Sequence, residues 1–520
     1  NSATGLIKTQ AFGSAVSAFG STDSTIYDGQ ISVGSITGRA MFFSESLVSA
    51  IGYVLIKSSD GTGWYYTADA KAQTSYTGDT TNTSPVITNI ASTTGMYSGQ
   101  AISGTGIPAG ARILTVDSSS QITLNANATA TNTGVTLTKT PVAKILDADF
   151  VTTGSSVTAF VEMDGFTFYA NADGYIYNSD VNSITAYTAS NRIAAQMSPD
   201  PPNAVARHKN MIICWGHSSM QLFYNGGNVS GSPLTSAPQL FSRVGVVDQK
   251  GITALRDEIY FVAAATYGDV SVMRLRDLQP QPVSTSVVNK FLGTHAASGG
   301  NIYLSAFQLG GYPYVSVFTT TSSDATDLML LESGEYLLLE NADNIILEAD
   351  PTAAANFSRM LLYNADLNIW SEWDSDEATY VVGIGSGSVS QIIAASRVKT
   401  DGKIYTIKPT SQADLYTDDG STFTTEIRTS RIDHGTEQRK FIKSIQLVAD
   451  DQDTGTVTLD ASDDDYGSWV TLGTFDLTQK DKRINRCGSY RGGRAYRMRH
   501  STNGPFRAEA LEIEYEIGSI

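Results

Sequence analysis

The residue types that bind metals or phosphates are present in this sequence, but their spacing does not form a site. Cys214 and His217 make one Cys-x-x-His pair, and no second pair follows it as a structural zinc site requires. Residues 463–465 are three consecutive aspartates without the alternating ligands and closing glutamate of a calcium loop. No Gly-x-x-x-x-Gly-Lys-Ser/Thr phosphate loop occurs. We therefore predict no metal site and no cofactor.

Residues 462–469 are the segment most similar to part of an enzyme. They resemble the Asp-box turn of sialidase-like proteins, Ser-x-Asp-x-Gly-x-Thr-Trp, but have one residue too many before the glycine and occur once. Asp-boxes hold turns together and do not perform hydrolysis. A glycosidase needs two carboxylates in defined roles, and nothing in the sequence singles out such a pair. The sequence therefore predicts a protein that is not an enzyme.

A basic segment near the end of the chain is the main candidate for an interaction. Nine lysines and arginines between residues 480 and 507 face one acid, Asp481. Strand alternation would place Arg497 and Arg499 on one face and Tyr496 and Met498 on the other. Either this segment binds DNA, or it forms a salt-bridged surface with the seven aspartates of residues 450–465, from the same domain or from a neighbouring subunit.

We favour the salt-bridged surface because no recognised DNA-binding module is present. The predicted assembly contact consists of Arg486, Arg491, Arg494, Arg497 and Arg499.

The overall charge excludes several classes of function. The 520 residues include 52 acidic and 35 basic side chains, which gives a formal net charge of −17. Tight binding to nucleic acid needs clustered Lys and Arg, so an acidic chain is a poor candidate for it.

Two cysteines exclude a disulfide framework. No run approaches the roughly 20 apolar residues of a membrane span, and we expect no secretory signal at the start.

The elements that must position these residues are predicted to be β-strands, because hydrophobic residues recur with period two almost everywhere. Residues 44–56 could be helix or strand, and we favour strand. Six hairpins are predicted at residues 166–177, 211–224, 258–275, 301–318, 359–373 and 391–407. One four-stranded blade for each hairpin is typical of a β-propeller. The predicted fold is therefore all-β, with a propeller of about six blades.

Composition divides the chain into four regions. Residues 1–73 are predicted to be N-terminal strands of the propeller, and residues 74–140 a small inserted β-sandwich rich in Ser and Thr. Residues 141–425 form the main propeller, and residues 426–520 a C-terminal β domain that completes the propeller or forms a platform. Within residues 328–348, three apolar residues followed by Glu recur three times, which we interpret as short stacked strands. Their predicted subunit contact consists of Leu330, Leu331, Leu338, Leu339 and Ile346.

Two parts of the sequence resemble a known family. The propeller segments 216–227, 232–234, 245–247, 250–255, 258–262 and 283–288 are similar to the tail hub, or nozzle, proteins of short-tailed bacteriophages, the podovirus packaged-DNA stabilisation family. The closing segments 429–435, 439–440, 463–469, 486–490 and 499–500 are similar too. The insert at 74–140 resembles an Ig-like module of phage and bacterial surface proteins.

This resemblance implies a structural protein of the virion tail. Such a protein forms a homohexameric ring below the portal and its adaptor, retains packaged double-stranded DNA, conducts it during ejection, and carries tail fibres and a needle. We expect propeller acids to line the channel, and the basic segment to contact a subunit or the adaptor. The alternative is a tail component that binds or depolymerises glycans of the host surface.

Overall fold

A computed structural model shows an almost entirely β-stranded protein that divides into two compact units. The first comprises Asn1–Asp374 and Ala378–Tyr405, and the second Ser375–Glu377 and Thr406–Ile520. No helix in the described part of the chain is long and apolar enough to cross a membrane. The structure describes residues 7–9, 25–28, 31–35, 40–48, 50–58, 60–71, 75–150, 158–265, 270–297, 300–309, 311–320, 357–373, 378–386, 389–396, 404–407, 422, 424–504 and 506–518.

The first unit begins with a three-stranded sheet and a large nine-stranded sheet. The first sheet contains β1 (Ile7–Thr9), β2 (Thr25–Asp28) and β3 (Ile31–Ser35). The second contains β4 (Ala40–Val48), β5 (Ile51–Ser58), β6 (Gly63–Tyr66), β7 (Ser75–Thr80), β8 (Val86–Thr88), β9 (Gln100–Ser103), β10 (Ile113–Ser118), β11 (Gln121–Leu124) and β12 (Asn132–Lys144), with a 3₁₀ turn at Ala68–Lys71. The prediction of strands at residues 44–56 is confirmed.

Antiparallel sheets then follow one another along the chain. Their strands are β13 (Val161–Met163), β14 (Phe166–Ala170), β15 (Tyr175–Ser179), β16 (Tyr187–Ala194); β17 (Ala204–His208), β18 (Met211–Trp215), β19 (Met220–Asn225), β20 (Leu234–Ser236); β21 (Val244–Val246), β22 (Ile252–Leu255), β23 (Glu258–Ala265), β24 (Ser271–Arg276), β25 (Gln279–Pro282); β26 (Asn301–Leu309), β27 (Tyr312–Thr320), β28 (Phe357–Asn364), β29 (Ile369–Trp373); and β30 (Ala378–Ser386), β31 (Val389–Ser396), β32 (Ile404–Ile407). Short 3₁₀ turns lie at Pro238–Leu240 and Gln249–Gly251.

The predicted hairpins are present, but they are not one per blade. The hairpins predicted at 301–318 and 359–373 lie in a single sheet, β26–β29. The sheet made by β4, β5, β6 and the end of β12 adds a blade that the hairpin spacing did not mark. Among the described residues, six successive sheets from β4 to β32 therefore make up the propeller, as the predicted blade number requires.

Both faces of each central sheet are buried, because alternate residues of one strand enter different cores. Ile212 and Cys214 pack with the β13–β16 sheet, whereas Ile213 and Trp215 pack with the β21–β25 sheet. Likewise Phe261 faces back toward Trp215, while its neighbours on β23 face the β26–β29 sheet. Stacked sheets with apolar residues on both faces are the packing expected of propeller blades.

The strands of the predicted insert share one sheet with β4, β5 and β6, because β12 runs through both parts. The first part of β12 pairs with β7 and β9, and its last two residues pair with β6. Gly99 lets its backbone lie directly against β12, because a Cβ at this position would lie only 1.8 Å from the carbonyl oxygen of Lys144. The module also has its own apolar core, which includes Ile87, Ile113, Ile122 and Leu137.

One α-helix, α1 (Ser286–Ala297), was not predicted. Its amino end is capped by the hydroxyl of Thr285, which accepts a hydrogen bond from the amide of Val288. Val288 and Leu292, four residues apart, fill the core between the β21–β25 and β26–β29 sheets. The helix was missed because only this one short apolar stripe distinguishes it from the strands around it.

The second unit is a β-sandwich. Its strands are β33 (Thr425–Arg428), β34 (Lys440–Ala449), β35 (Thr456–Ser462), β36 (Val470–Asp476), β37 (Arg483–Asn485), β38 (Ser489–Tyr490), β39 (Ala495–His500) and β40 (Ala508–Ile517). One sheet has the order β33-β39-β35-β36, and in the other β34 pairs with β37, β38 and β40. Tyr496 and Met498 point into the shared core, as the predicted alternation requires.

Candidate functional site

Two arginines of the basic segment, Arg497 and Arg499 on β39, lie on the outer face of the β33-β39-β35-β36 sheet, where charged residues form cross-strand rows. Arg428, Arg497, Asp460 and Thr471 occupy one row across all four strands. Alternation directs these side chains away from the apolar core, so the outer face of this sheet is polar.

Asp460 is the centre of this network. Its side chain is 1 % exposed, and it accepts hydrogen bonds from Arg497 at 2.9 Å and Arg499 at 2.8 Å. The hydroxyl of Thr471 donates a further bond at 2.8 Å. Burial alone would raise the pKa of Asp460, but these donors together outweigh burial and hold the pKa below its usual value.

Arg494 forms the second ion pair, in which the arginine is buried and its partner Asp463 is exposed. Its guanidinium binds both carboxylate oxygens of Asp463, at 2.6 and 2.7 Å. It also donates to the carbonyl oxygen of Cys487, and its charge lies 4.5 Å from the centre of the Tyr490 ring. A bidentate pair with these further contacts uses most of the donors of Arg494 within the chain.

Three residues of the predicted assembly contact have partners inside the sandwich. Arg494 binds Asp463, while Arg497 and Arg499 both bind Asp460. The alternative in which the acids belong to the same domain is the one found. Arg486 and Arg491 are exposed, and neither has an ion pair among the residues that the structure describes. The assembly contact stays a prediction for all five arginines, and Arg486 and Arg491 are the two without an ion pair of their own in the described part of the chain.

The Asp-box-like turn at residues 462–469 is a structural clamp. The carboxylate of Asp464 accepts hydrogen bonds from the hydroxyl of Ser462 and from the amide and hydroxyl of Ser468. These bonds, led by the one from the Ser468 hydroxyl, lower the pKa of Asp464 to about 2. Asp465 and Tyr466 have φ of 57° and 69°, which accommodates the extra residue of this turn.

Cys214 and His217, the Cys-x-x-His pair of the sequence, lie in different environments. Burial raises the pKa of Cys214 to about 12, while His217 is an exposed turn residue, so the pair cannot bind a metal jointly. In the described part of the chain no group of three His, Cys, Asp or Glu could hold a metal ion. The apolar residues Leu330, Leu331, Leu338, Leu339 and Ile346 lie outside the described residues.

A cavity of about 400 Å³ lies where β4, β13, β17 and β22 approach each other. Its charged lining residues are Glu45, Glu162 and Arg207. Arg207 donates to the carbonyl oxygen of Glu162 at 2.9 Å and lies 3.8 Å from its carboxylate. Two carboxylates with a guanidinium could hydrogen-bond the hydroxyls of a small polar ligand.

Two features of the charge distribution were missed in the sequence. The alternating run of β35 indicates that Asp460 points outward, but it does not identify the arginines that Asp460 binds. Lys57, fully buried on β5, is surrounded by the rings of Phe150, Phe160 and Tyr169 at 4.6 to 5.7 Å. No local signal marks it, because those rings lie far away in the sequence.

One family of known proteins matches part of this chain. Residues 86–308 match the family model described as "Bacteriophage P22 Gp10, beta-propeller". The match runs from β8 in the predicted insert through α1 and almost all of β26, which is less than half of the chain. It makes this region similar to a bacteriophage propeller protein. No curated protein is significantly similar in sequence.

Solved structures are only distantly similar. An exo-β-1,3-galactanase from Phanerochaete chrysosporium is 10% identical, with 69% of this chain and 96% of that chain covered and a TM-score of 0.25. A family 43 arabinoxylan arabinofuranohydrolase from Bacillus subtilis is 9% identical, with 92% and 94% covered and a TM-score of 0.25. Raptor from Chaetomium thermophilum is 11% identical, with 71% and 28% covered and a TM-score of 0.28. Scores this low carry no argument about function.

Proposed function

We propose that this protein is a structural component of a bacteriophage tail. In this proposal copies form a ring, expected to be a hexamer, around the DNA exit channel, and the ring retains packaged double-stranded DNA until ejection. The portal adaptor, the tail fibres and the tail needle are the expected protein partners. The observation that carries the proposal is the match of residues 86–308 to a bacteriophage propeller family.

The charge of the chain supports passage of DNA rather than tight binding. Six copies would carry 6 × (−17) = −102 formal charges. A duplex has one phosphate per ~1.7 Å of its axis, so an acidic wall repels it and lets it slide. The arginines that could have bound phosphates, Arg494, Arg497 and Arg499, already bind Asp463 and Asp460, which offset two of their three charges.

The role needs no catalytic group. A ring that holds and conducts DNA acts through shape, charge and contacts between subunits. The ion pairs, the Asp464 clamp and the stacked blades fit a rigid structural part.

The test is imaging combined with removal of the protein. Negative-stain images of the purified full-length chain are expected to show rings with six-fold symmetry and a central hole. Phage particles assembled without this protein should lose packaged DNA, and added protein should prevent the loss. Particles that keep their DNA and infect normally without the protein would contradict the proposal.

A glycan-binding or glycan-cleaving tail component is the second candidate. The observation in its favour is the cavity with Glu45, Glu162 and Arg207, since paired carboxylates are the groups that glycosidases use. Release of reducing sugar from host polysaccharide, lost in the Glu45→Gln and Glu162→Gln variants, would support it. Unchanged polysaccharide would exclude cleavage, and calorimetry with the same glycan tests binding alone.

A further inference from the structure

The second unit has an acidic edge strand. In β40, four exposed glutamates lie at residues 509, 512, 514 and 516. Lys443 and Arg507 neutralise Glu516 and Glu509, at 2.5 and 3.4 Å. Glu512 and Glu514 have no ion pair within the described part of the chain. We name Glu509, Glu512, Glu514 and Glu516 the acidic edge.

The same sheet has a group of exposed arginines at its other side. Arg483 lies on β37, Arg486 follows it, and Arg491 comes directly after β38. Arg439 joins them, because its guanidinium donates to the hydroxyl of Ser489 on β38 at 3.0 Å. All four are exposed. We name Arg439, Arg483, Arg486 and Arg491 the basic edge.

Strand register fixes the two groups at opposite edges, except for Arg439, which directly precedes the central strand β34 and reaches β38 through its guanidinium. β40 pairs with β34 along its whole length, from the Lys440–Ile517 pair to the Ala449–Ala508 pair. Since a strand has two edges, β37 and β38, which also pair with β34, must occupy the other one. The backbone amide of Arg486 donates to the carbonyl oxygen of Lys443 at 2.8 Å, which holds the intervening loop to that edge.

The two edges complement each other in charge. The acidic edge keeps an excess of two acids after Lys443 and Arg507 are counted. The basic edge has four arginines against Asp481, which lies 3.5 Å from Arg483, and Glu437 near Gly492. It therefore keeps an excess of two positive charges. The outer side of β40 also has no strand beside it among the described residues, so its backbone groups are open to a neighbour.

We propose that the acidic edge of one copy of this chain docks on the basic edge of the next copy. Because the two surfaces differ and lie on opposite sides of one sheet, the contact is head-to-tail, and such contacts close into rings when the rotation permits. Electrostatic complementarity would set the register and exclude acidic-to-acidic encounters. This proposal rests on the proposed ring and identifies the two surfaces that would join neighbouring subunits in it.

Charge reversal on each edge tests the contact in the full-length chain. Arg486→Glu with Arg491→Glu reverses the basic edge, and Glu512→Lys with Glu514→Lys reverses the acidic edge. Native mass spectrometry at low salt is expected to show at least a tenfold loss of ring for either double variant. A variant with all four changes, in which both edges are reversed, should regain the ring. Rings that survive either double reversal overturn the contact.

A matched control separates this effect from net charge. Arg243 and Lys290 are exposed residues of the first unit, and Arg243→Glu with Lys290→Glu changes the net charge as the basic-edge variant does. This control should keep its rings, and circular dichroism should show that every variant is folded. Loss of rings in the control overturns the assignment to these edges. If the wild type forms rings and the edge-reversed variants keep them, the edge contact is wrong and the proposed tail role stands. A wild-type chain that never self-associates overturns both the edge contact and the tail role.

Discussion

The two units bury charge in opposite ways. In the first unit, Lys57 lies between blades, where its ammonium donates to the carbonyl oxygen of Gly61 and contacts aromatic rings. In the second unit, Asp460 is equally buried but receives two guanidinium groups and a hydroxyl. Burial lowers the pKa of Lys57, whereas Asp460 keeps its charge because it is paired with arginines.

The difference follows from the number of apolar faces. A propeller sheet packs on both sides, so a charged side chain on β5 has to enter an apolar interface. A sandwich sheet has one face in the core and one outside, so Asp460 and its arginines stay on the polar side. Stability in the first unit should therefore depend on apolar packing, and stability in the second should depend in part on ion pairs.

The largest effect should come from removing a large side chain between blades. Trp215 is fully buried and packs against Phe261. Trp215→Ala should lower the free energy of unfolding by about 4 kcal/mol through lost burial and a cavity. Urea unfolding measures the change. The matched control is Trp469→Ala on the polar face of the sandwich, where contacts with Arg497 and Arg428 predict a loss of about 1 kcal/mol. Equal losses would contradict the contrast between the two units.

Breaking the buried ion pair should have the next largest effect. Asp460→Ala leaves Arg497 and Arg499 without their central acceptor, and we expect a loss of about 2–3 kcal/mol, since Arg499 is partly exposed to water. The pKa of Asp460 is lower in the folded protein than in the unfolded chain. The stabilisation is therefore complete above the unfolded value, near 4, and is lost as the pH falls through the folded one. Urea unfolding of wild type and variant should converge in acid. A constant difference down to low pH would contradict the role of the charged form.

Replacing Lys57 should have a smaller effect on the free energy of unfolding, and it should raise stability instead of lowering it. Burial lowers the pKa of Lys57 from 10.5 to about 7, with Asp60 acting in the other direction. Between these values the unfolded chain binds the proton that the folded protein has released, so stability rises with pH. From pH 7 to pH 9 the gain should be about 2 kcal/mol. Lys57→Met, which keeps the length of the side chain, should be more stable than wild type at pH 7 and should lack this gain. A variant with the same pH dependence as wild type would show that Lys57 is not responsible.

Local patterns predicted the strands, and long-range contacts decided the rest. The alternation of Tyr496 to Arg499 was sufficient to assign the inner and outer faces of β39. It could not identify Asp460 as the acceptor, because that residue lies 37 positions from Arg497. The cage around Lys57 likewise joins β5 to Phe150, Phe160 and Tyr169, about a hundred residues later.

Blade boundaries failed for a related reason. A hairpin is a local event, but which hairpins share a sheet depends on a third strand pairing. β27 pairs with β28 although they are separated by residues 321–356. The spacing of hairpins therefore predicted about the right number of blades, although it assigned two hairpins of one sheet to two separate blades.

The smallest effect should be confined to the turn at residues 462–469, where charge acts on backbone geometry. The amide of Ser468 donates to the carboxylate of Asp464, and the amide of Tyr466 donates to the hydroxyl of Ser462. Asp464→Ala removes the first acceptor directly and releases the Ser462 hydroxyl. Hydrogen exchange at both amides should accelerate, while the amides of β35 keep their protection. Because Asp464 is exposed, the global unfolding transition should stay close to that of wild type. A variant in which β35 also exchanges faster would show that the turn supports the sandwich as a whole, and the contrast between buried and exposed charge in this unit would be lost.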